Sequence, residues 1–197
     1  MKRRTLLIWG VGALLSGCAS ARRVETGERV VGERLVLKLE GPWNQVSAPG
    51  LVGPHCETWT MEGLPVDQLL IYSGLKDDET IHAEPPGKAN PERRQFRFHS
   101  TMQPDQIVAL FEGMLTRNGS AFTLERLEPV SFAGKRGFRF RFSLIRRNDN
   151  VQLSGIGSAV VNKGELFAIV YQAPRLVFFP RHEKTVMQIL ASARLRD

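Results

Sequence analysis

Cysteine is scarce in this chain. Beyond Cys18 the only one in 197 residues is Cys56, and a single thiol cannot close an internal disulfide, so the fold must rest on packing. Long apolar runs are missing too. The run from Thr5 to Leu15 is about ten residues, whereas a bilayer core takes roughly 20. His55, His82, His99 and His182 lie far apart, and none stands in a metal-ligand spacing. There is no Gly-x-Ser-x-Gly elbow and no phosphate-cradling glycine loop. Gly155-Ile156-Gly157 falls between strand segments with no helix start behind it, so it is not a nucleotide fingerprint. Asp77-Asp78-Glu79 reads as a solvated turn rather than a cation site. No catalytic residue, metal or dissociable cofactor is expected, and the chain does not read as an enzyme.

What is present begins at the N-terminus. Lys2, Arg3 and Arg4 precede the apolar run, and small residues follow it: Leu15-Ser16-Gly17-Cys18. Charged start, apolar centre and small-residue end make up a secretory signal. The last four residues resemble the bacterial lipobox. The resemblance implies cleavage of residues 1–17 and a diacylglyceryl group, with an N-acyl chain, on Cys18. At about 0.8 kcal/mol per buried methylene, two or more chains hold a domain on a membrane. Ala19 stands where an aspartate would signal inner-membrane retention in enterobacteria. The expected address is therefore the cell envelope, facing the periplasm from the outer membrane. Residues 18–33 lack any period and read as a flexible tether, and 34–197 as one folded domain.

Loss of the three N-terminal cations lowers the formal charge from +7 to +4. Such a domain is mildly cationic, which favours anionic lipid or glycan neighbours and not nucleic acid. Cys56 lies in His55-Cys56-Glu57. On an extended chain its side chain points away from both neighbours, so a catalytic thiol would need a base from elsewhere in the fold.

Strands are expected at Leu35–Leu39, Glu57–Glu62 and Asp67–Leu75, with Trp43–Pro54 a loop between the first two. Lys76–Glu92 is charged and broken by prolines, and Arg94–His99 resumes as a strand. Pro104 and Asp105 suit a first helical turn, capped by Gln103 or Thr101. Ile107, Leu110, Phe111, Met114 and Leu115 then form one apolar stripe, and Asn118-Gly119 ends the helix. A short strand from Ala121 to Leu127 leads into a meander. In its first strand, Gly137–Ile145, Phe138, Phe140, Phe142 and Leu144 alternate with Arg139, Arg141 and Ser143. Val151–Val161 and Leu166–Gln172 follow, the last apolar on both faces and so central. Gly155 and Gly157 leave room for something to pack over the middle strand. Pro180 opens a closing helix with the stripe Val186, Ile189, Leu190 and Ala193.

The order from Pro104-Asp105-Gln106-Ile107 through Gly137-Phe138-Arg139-Phe140, Gly157-Ser158-Ala159-Val160 and Ala173-Pro174 to the last helix resembles the PsbP-like (Mog/PsbP) fold. The resemblance covers residues 100–195, and the first strands loosely. It implies an α+β domain: a single antiparallel sheet of about six or seven strands between helices, an α-β-α sandwich. It also implies a protein that binds or helps assemble other proteins, with no shared catalytic residues to carry over.

Arg97, Arg139 and Arg141 oppose the phenylalanines in their alternation, and Arg146 and Arg147 sit at a hairpin end. On neighbouring strands they would make a cationic stripe for lipid phosphate, glycan or an acidic protein patch, or a solvated face that keeps the sheet soluble. A helix over them would bury charge, so that face should be only partly covered. The expected role is a non-enzymatic binding or assembly module for a protein or envelope component. The alternative is a carrier holding a lipid or small apolar ligand in a pocket between the sheet and a helix, supported by the Phe-rich face and by Gly155 and Gly157. A Cys- or His-dependent enzyme is the third reading.

Overall fold

The computed structural model describes residues 20–48, 52–82 and 96–196. The signal segment, Cys18, the segment 83–92 of the proline-broken stretch and the start of the strand expected at Arg94 lie outside them. The described residues begin with four short strands, β1 (Ser20–Val24), β2 (Gly27–Val31), β3 (Leu35–Leu39) and β4 (Trp43–Ser47). Two more follow, β5 (Cys56–Thr60) and β6 (Gln68–Leu75), then helix α1 (Pro104–Thr116). The meander is β7 (Ala121–Phe132), β8 (Lys135–Ile145), β9 (Gln152–Asn162) and β10 (Glu165–Pro174). Helix α2 (Phe178–Ser192) and the two-residue β11 (Arg194–Leu195) close the chain.

Eight strands form one antiparallel sheet in the order β1-β4-β5-β6-β10-β9-β8-β7, and β11-β3-β2 form a second, three-stranded sheet. The fold is thus an α+β sandwich with a larger sheet than expected. Three of the four unexpected strands, β1, β2 and β4, come from polar stretches. The tether expected over 18–33 is corrected in its described part. Ser20 to Val24 pair with Ser47 to Trp43, and Gly27 to Val31 pair with Leu39 to Leu35. Of β1 only Val24 is buried. Backbone ladder bonds, which need no apolar alternation, hold this strand at the sheet edge. The loop expected from Trp43 is corrected likewise: Trp43 is fully buried at the head of β4.

Each face of the large sheet has its own core. On one face α2 and the small sheet cover Leu69, Ile71, Phe167, Ile169 and Tyr171 with Val186, Ile189, Leu190, Leu35 and Leu37. On the other α1 covers Phe138, Phe140, Phe142, Tyr72 and Val170 with Ile107, Leu110 and Phe111. Strand β10, apolar on both faces, lies between β6 and β9 with Leu166 through Tyr171 buried. In α1 the backbone N–H of Gln103 donates to Gln106 Oε1 at 2.8 Å, joining the N-cap residue to the first turn. Helix α2 begins at Phe178, two residues ahead of Pro180.

The strand expected at Arg94–His99 is, in its described part, a bridge between Thr80 and Arg97. Phe98 N–H donates to Glu79 O at 2.9 Å and Ile81 N–H to Phe96 O at 3.0 Å, so this short pairing stands off the sheet. Phe96 packs on α1 where Gly113 has no side chain; a Cβ there would lie 2.2 Å from its ring.

Candidate functional site

The five arginines do not form one stripe. Arg139 and Arg141 share the α2 face of β8, but α2 reaches only part of the way across, and both side chains are half-buried. Arg139 Nε donates to Ser158 Oγ at 3.3 Å, and Arg141 pairs with Glu183 of α2 at 2.5 Å. The face is therefore partly covered. Arg97 lies beyond the sheet, bonded to Asp78 O. Arg146 and Arg147 lie at the opposite end, because β8 is extended and they follow its last residue, some five residues on from 139–141.

At that opposite end lies an open cleft of about 520 Å³. One wall is the end of α1 and its exit, with Met114, Leu115, Arg117 and Asn118. The other wall is the β5–β6 connection, with Leu64, Pro65 and Val66. Leu70, Leu144 and Leu153 form an apolar floor with Gln172 beside them. Gln172 Nε2 donates to Gln68 Oε1 at 3.1 Å, while its own Oε1 is buried without a hydrogen-bond partner among the described residues.

Two side chains hold this cleft in shape. Arg146 donates to both carboxylate oxygens of Asp149, at 3.0 and 2.7 Å, and to Pro65 O at 2.7 Å, tying the β8–β9 hairpin to the β5–β6 wall. Asp67, 1 % exposed, accepts from Thr60 Oγ1, from Met61 N–H at 2.9 Å and from Glu62 N–H at 2.8 Å. Next to it Glu62 Oε1 lies 2.7 Å from His182 Nε2 and 3.1 Å from Arg181. The His182 hydrogen bond, with help from Arg181, holds the Glu62 carboxyl below its ordinary 4.5. A depressed carboxylate stabilises the fold fully above its unfolded pKa, and that stabilisation is lost as pH falls through the folded value. Unfolding midpoints in urea should therefore drop as pH is lowered from about 5 toward 3. A Glu62→Gln variant should show a shallower drop, as measured by fluorescence.

A second cleft, about 430 Å³, lies at the start of α1 between Met102, Ile107, Pro129 and Phe138, with Arg136 as its one cation. The space expected above Gly155 and Gly157 is not a cavity. The ring of Phe142 sits where a Cβ on Gly155 would be, 2.0 Å away, and Phe140 fills the same place over Gly157 at 2.4 Å. The glycines serve aromatic cross-strand packing, which excludes a carrier pocket over these two positions.

Cys56 faces the α1-side core. Its thiol donates to Glu57 O at 3.6 Å, and burial pushes its pKa up to about 12. Only about 1 in 10,000 is then thiolate at pH 8. Iodoacetamide at pH 8 should leave Cys56 unmodified in the folded protein and label it in urea, read by intact mass. His55 lies 3.3 Å from Glu79, and His99 lies 3.7 Å from Asp77. Asp77 is held low chiefly by the Ser100 N–H. Among the described residues no three His, Cys, Asp or Glu side chains gather as a metal site.

The sequence pattern named Arg146 and Arg147 but missed the cleft beside them. Its lining comes from five separated segments, and only the cations after α1 and at the hairpin end hinted at it.

The chain shares its fold with the PsbP-like proteins. The solution structure of cyanobacterial PsbP (CyanoP) from Synechocystis sp. PCC 6803 is similar to it with a TM-score of 0.55 and 13% identity, over 96% of this chain and 99% of that one. No protein-family model and no curated protein matches the chain.

Proposed function

We propose that this protein is an envelope lipoprotein, anchored through acylated Cys18, whose sandwich domain is a non-enzymatic binding or assembly module. The observation that carries the reading is Leu15-Ser16-Gly17-Cys18, because two or three acyl chains on Cys18 give a lasting membrane hold. Strand β1 starts at Ser20, two residues after the anchor, so the domain would sit against the membrane rather than on a long tether. Its address is the periplasmic side of the outer membrane. Its partner is an envelope protein, with anionic lipid or glycan as the alternative. A protein partner fits a PsbP-like fold and two open clefts. The third reading, an enzyme using Cys56 or a histidine, is disfavoured for the thiol by the burial that raises its pKa.

Two measurements test this. Intact mass of protein purified from membranes should show cleavage before Cys18 and the added acyl chains, and Cys18→Ser should be recovered without them. Cross-linking in living cells should then capture one recurrent protein. An unacylated mature chain, or turnover of an envelope substrate lost on changing one side chain, would overturn the reading.

A further inference from the structure

The cleft at the end of α1 differs from the rest of the surface in two ways. First, it is cationic. Arg117 lines it, and Arg147 stands beside it over Gly119; both are exposed and make no ion pair among the described residues, while Arg146 adds a third guanidinium to the lining. The carboxylates nearby are already engaged, Asp149 by Arg146 and Asp67 by Thr60 and two backbone N–H groups. Second, its floor is apolar, formed by Leu70, Leu144 and Leu153, with the exposed Leu64 on one wall. Of the six large hydrophobic residues exposed among those described, Leu64, Ile145, Leu176 and Val177 all lie at this end of the sheet. Ile145 opposes Gln152, Arg175 N–H donates to Gln152 O, and Arg146 reaches Pro65 O, so these turns adjoin. Charged rims around an apolar centre are the layout of a protein contact.

The geometry points to this cleft as the docking site for an acidic segment of a partner protein, one bulky aliphatic side chain of which seats on Leu70, Leu144 and Leu153. This rests on the binding-module reading and names the surface and the chemistry of its partner. Charge complementarity selects the occupant: the free guanidinium groups of Arg117 and Arg147 suit flanking Asp or Glu side chains. The partnerless Gln172 Oε1 suits a peptide N–H. An open cleft between two walls admits a through-running chain, whereas an acyl chain needs enclosure on more sides. The site also lies away from the first described residue of β1, Ser20. Strand β1 enters the sheet opposite Ser47, on the side of the β4–β5 connection, and runs toward the cleft end.

The test uses the full mature chain and fluorescein-labelled octapeptides. One carries Asp and Glu around a central Leu, a second has Ser for that Leu, and a third has Lys for the acids. The first should bind, with affinity falling about tenfold in an Arg117→Glu/Arg147→Glu variant and about tenfold or more when Leu becomes Ser. Both positions are exposed, and unchanged circular dichroism checks that the variant folds. No binding of the acidic peptide, equal binding of the Lys peptide, or an unchanged affinity in the variant would overturn the assignment. So would phosphatidylglycerol vesicles binding through the same arginines while the peptide does not. In cells, the double variant should lose the cross-linked partner. Undiminished capture by it would sink the cleft and leave the module reading intact, whereas no partner for the unaltered protein would remove both.

Discussion

Asp67→Ala is expected to lower folding stability by about 3 kcal/mol, a fall in Tm of roughly 6–12 °C. Asp67 stands at the start of β6 and is 1 % exposed. Removing its carboxylate leaves the Thr60 hydroxyl and the backbone N–H groups of Met61 and Glu62 without their acceptor. Each buried donor left unpaired costs about 1–3 kcal/mol. The loss is also positional. Glu62 bonds His182 and Arg181 of α2, and the connection at Leu64–Val66 walls the cleft. The variant should therefore bind the acidic peptide more weakly even where it is folded. Asp67→Asn, which keeps one acceptor oxygen, should cost less. Urea unfolding of both variants is the check; an Asp67→Ala variant as stable as the unaltered protein would show that the three donors find other acceptors.

Gly157→Ala is expected to cost about 3 kcal/mol, near the upper end for overpacking. A methyl on Gly157 would overlap the ring of Phe140, which is fully buried. That ring cannot swing aside, because it stacks on Phe111 at 5.5 Å and on Phe142 at 5.9 Å. Phe140→Leu alone removes part of this stack and should also destabilise. Combined with Gly157→Ala, the two costs should fall short of their sum, because the smaller side chain gives the methyl room. A strictly additive double variant in thermal unfolding would mean that ring and glycine do not share this space.

Much of this was readable from local pattern. The Phe/Arg alternation of β8 placed every phenylalanine from 138 to 142 in one core and Arg139 and Arg141 on the opposite face. The run Leu166 to Tyr171 announced a strand covered on both sides, and β10 is that strand. The stripe from Ile107 to Phe111 is the buried face of α1. Reading failed where strands are polar. Ser-Ala-Arg-Arg carries no period, yet it forms an edge strand because β4 offers it a ladder. It failed again with the arginines: five cations that share an alternation or a turn in sequence lie at three separate places in space.

By itself the sequence determined the elements whose burial is written into period: α1, α2 and the meander, since repeating apolar positions need only a face to bury. It also supplied the motif at Cys18 on which the proposed anchor rests. Only the tertiary structure decided that residues 20–31 are strands, that Phe140 and Phe142 fill the space over Gly157 and Gly155, and that the end of α1, the Leu64–Val66 wall and the 146–148 turn enclose a cleft. Those outcomes depend on backbone pairing and on packing between residues tens of positions apart, which no local pattern encodes.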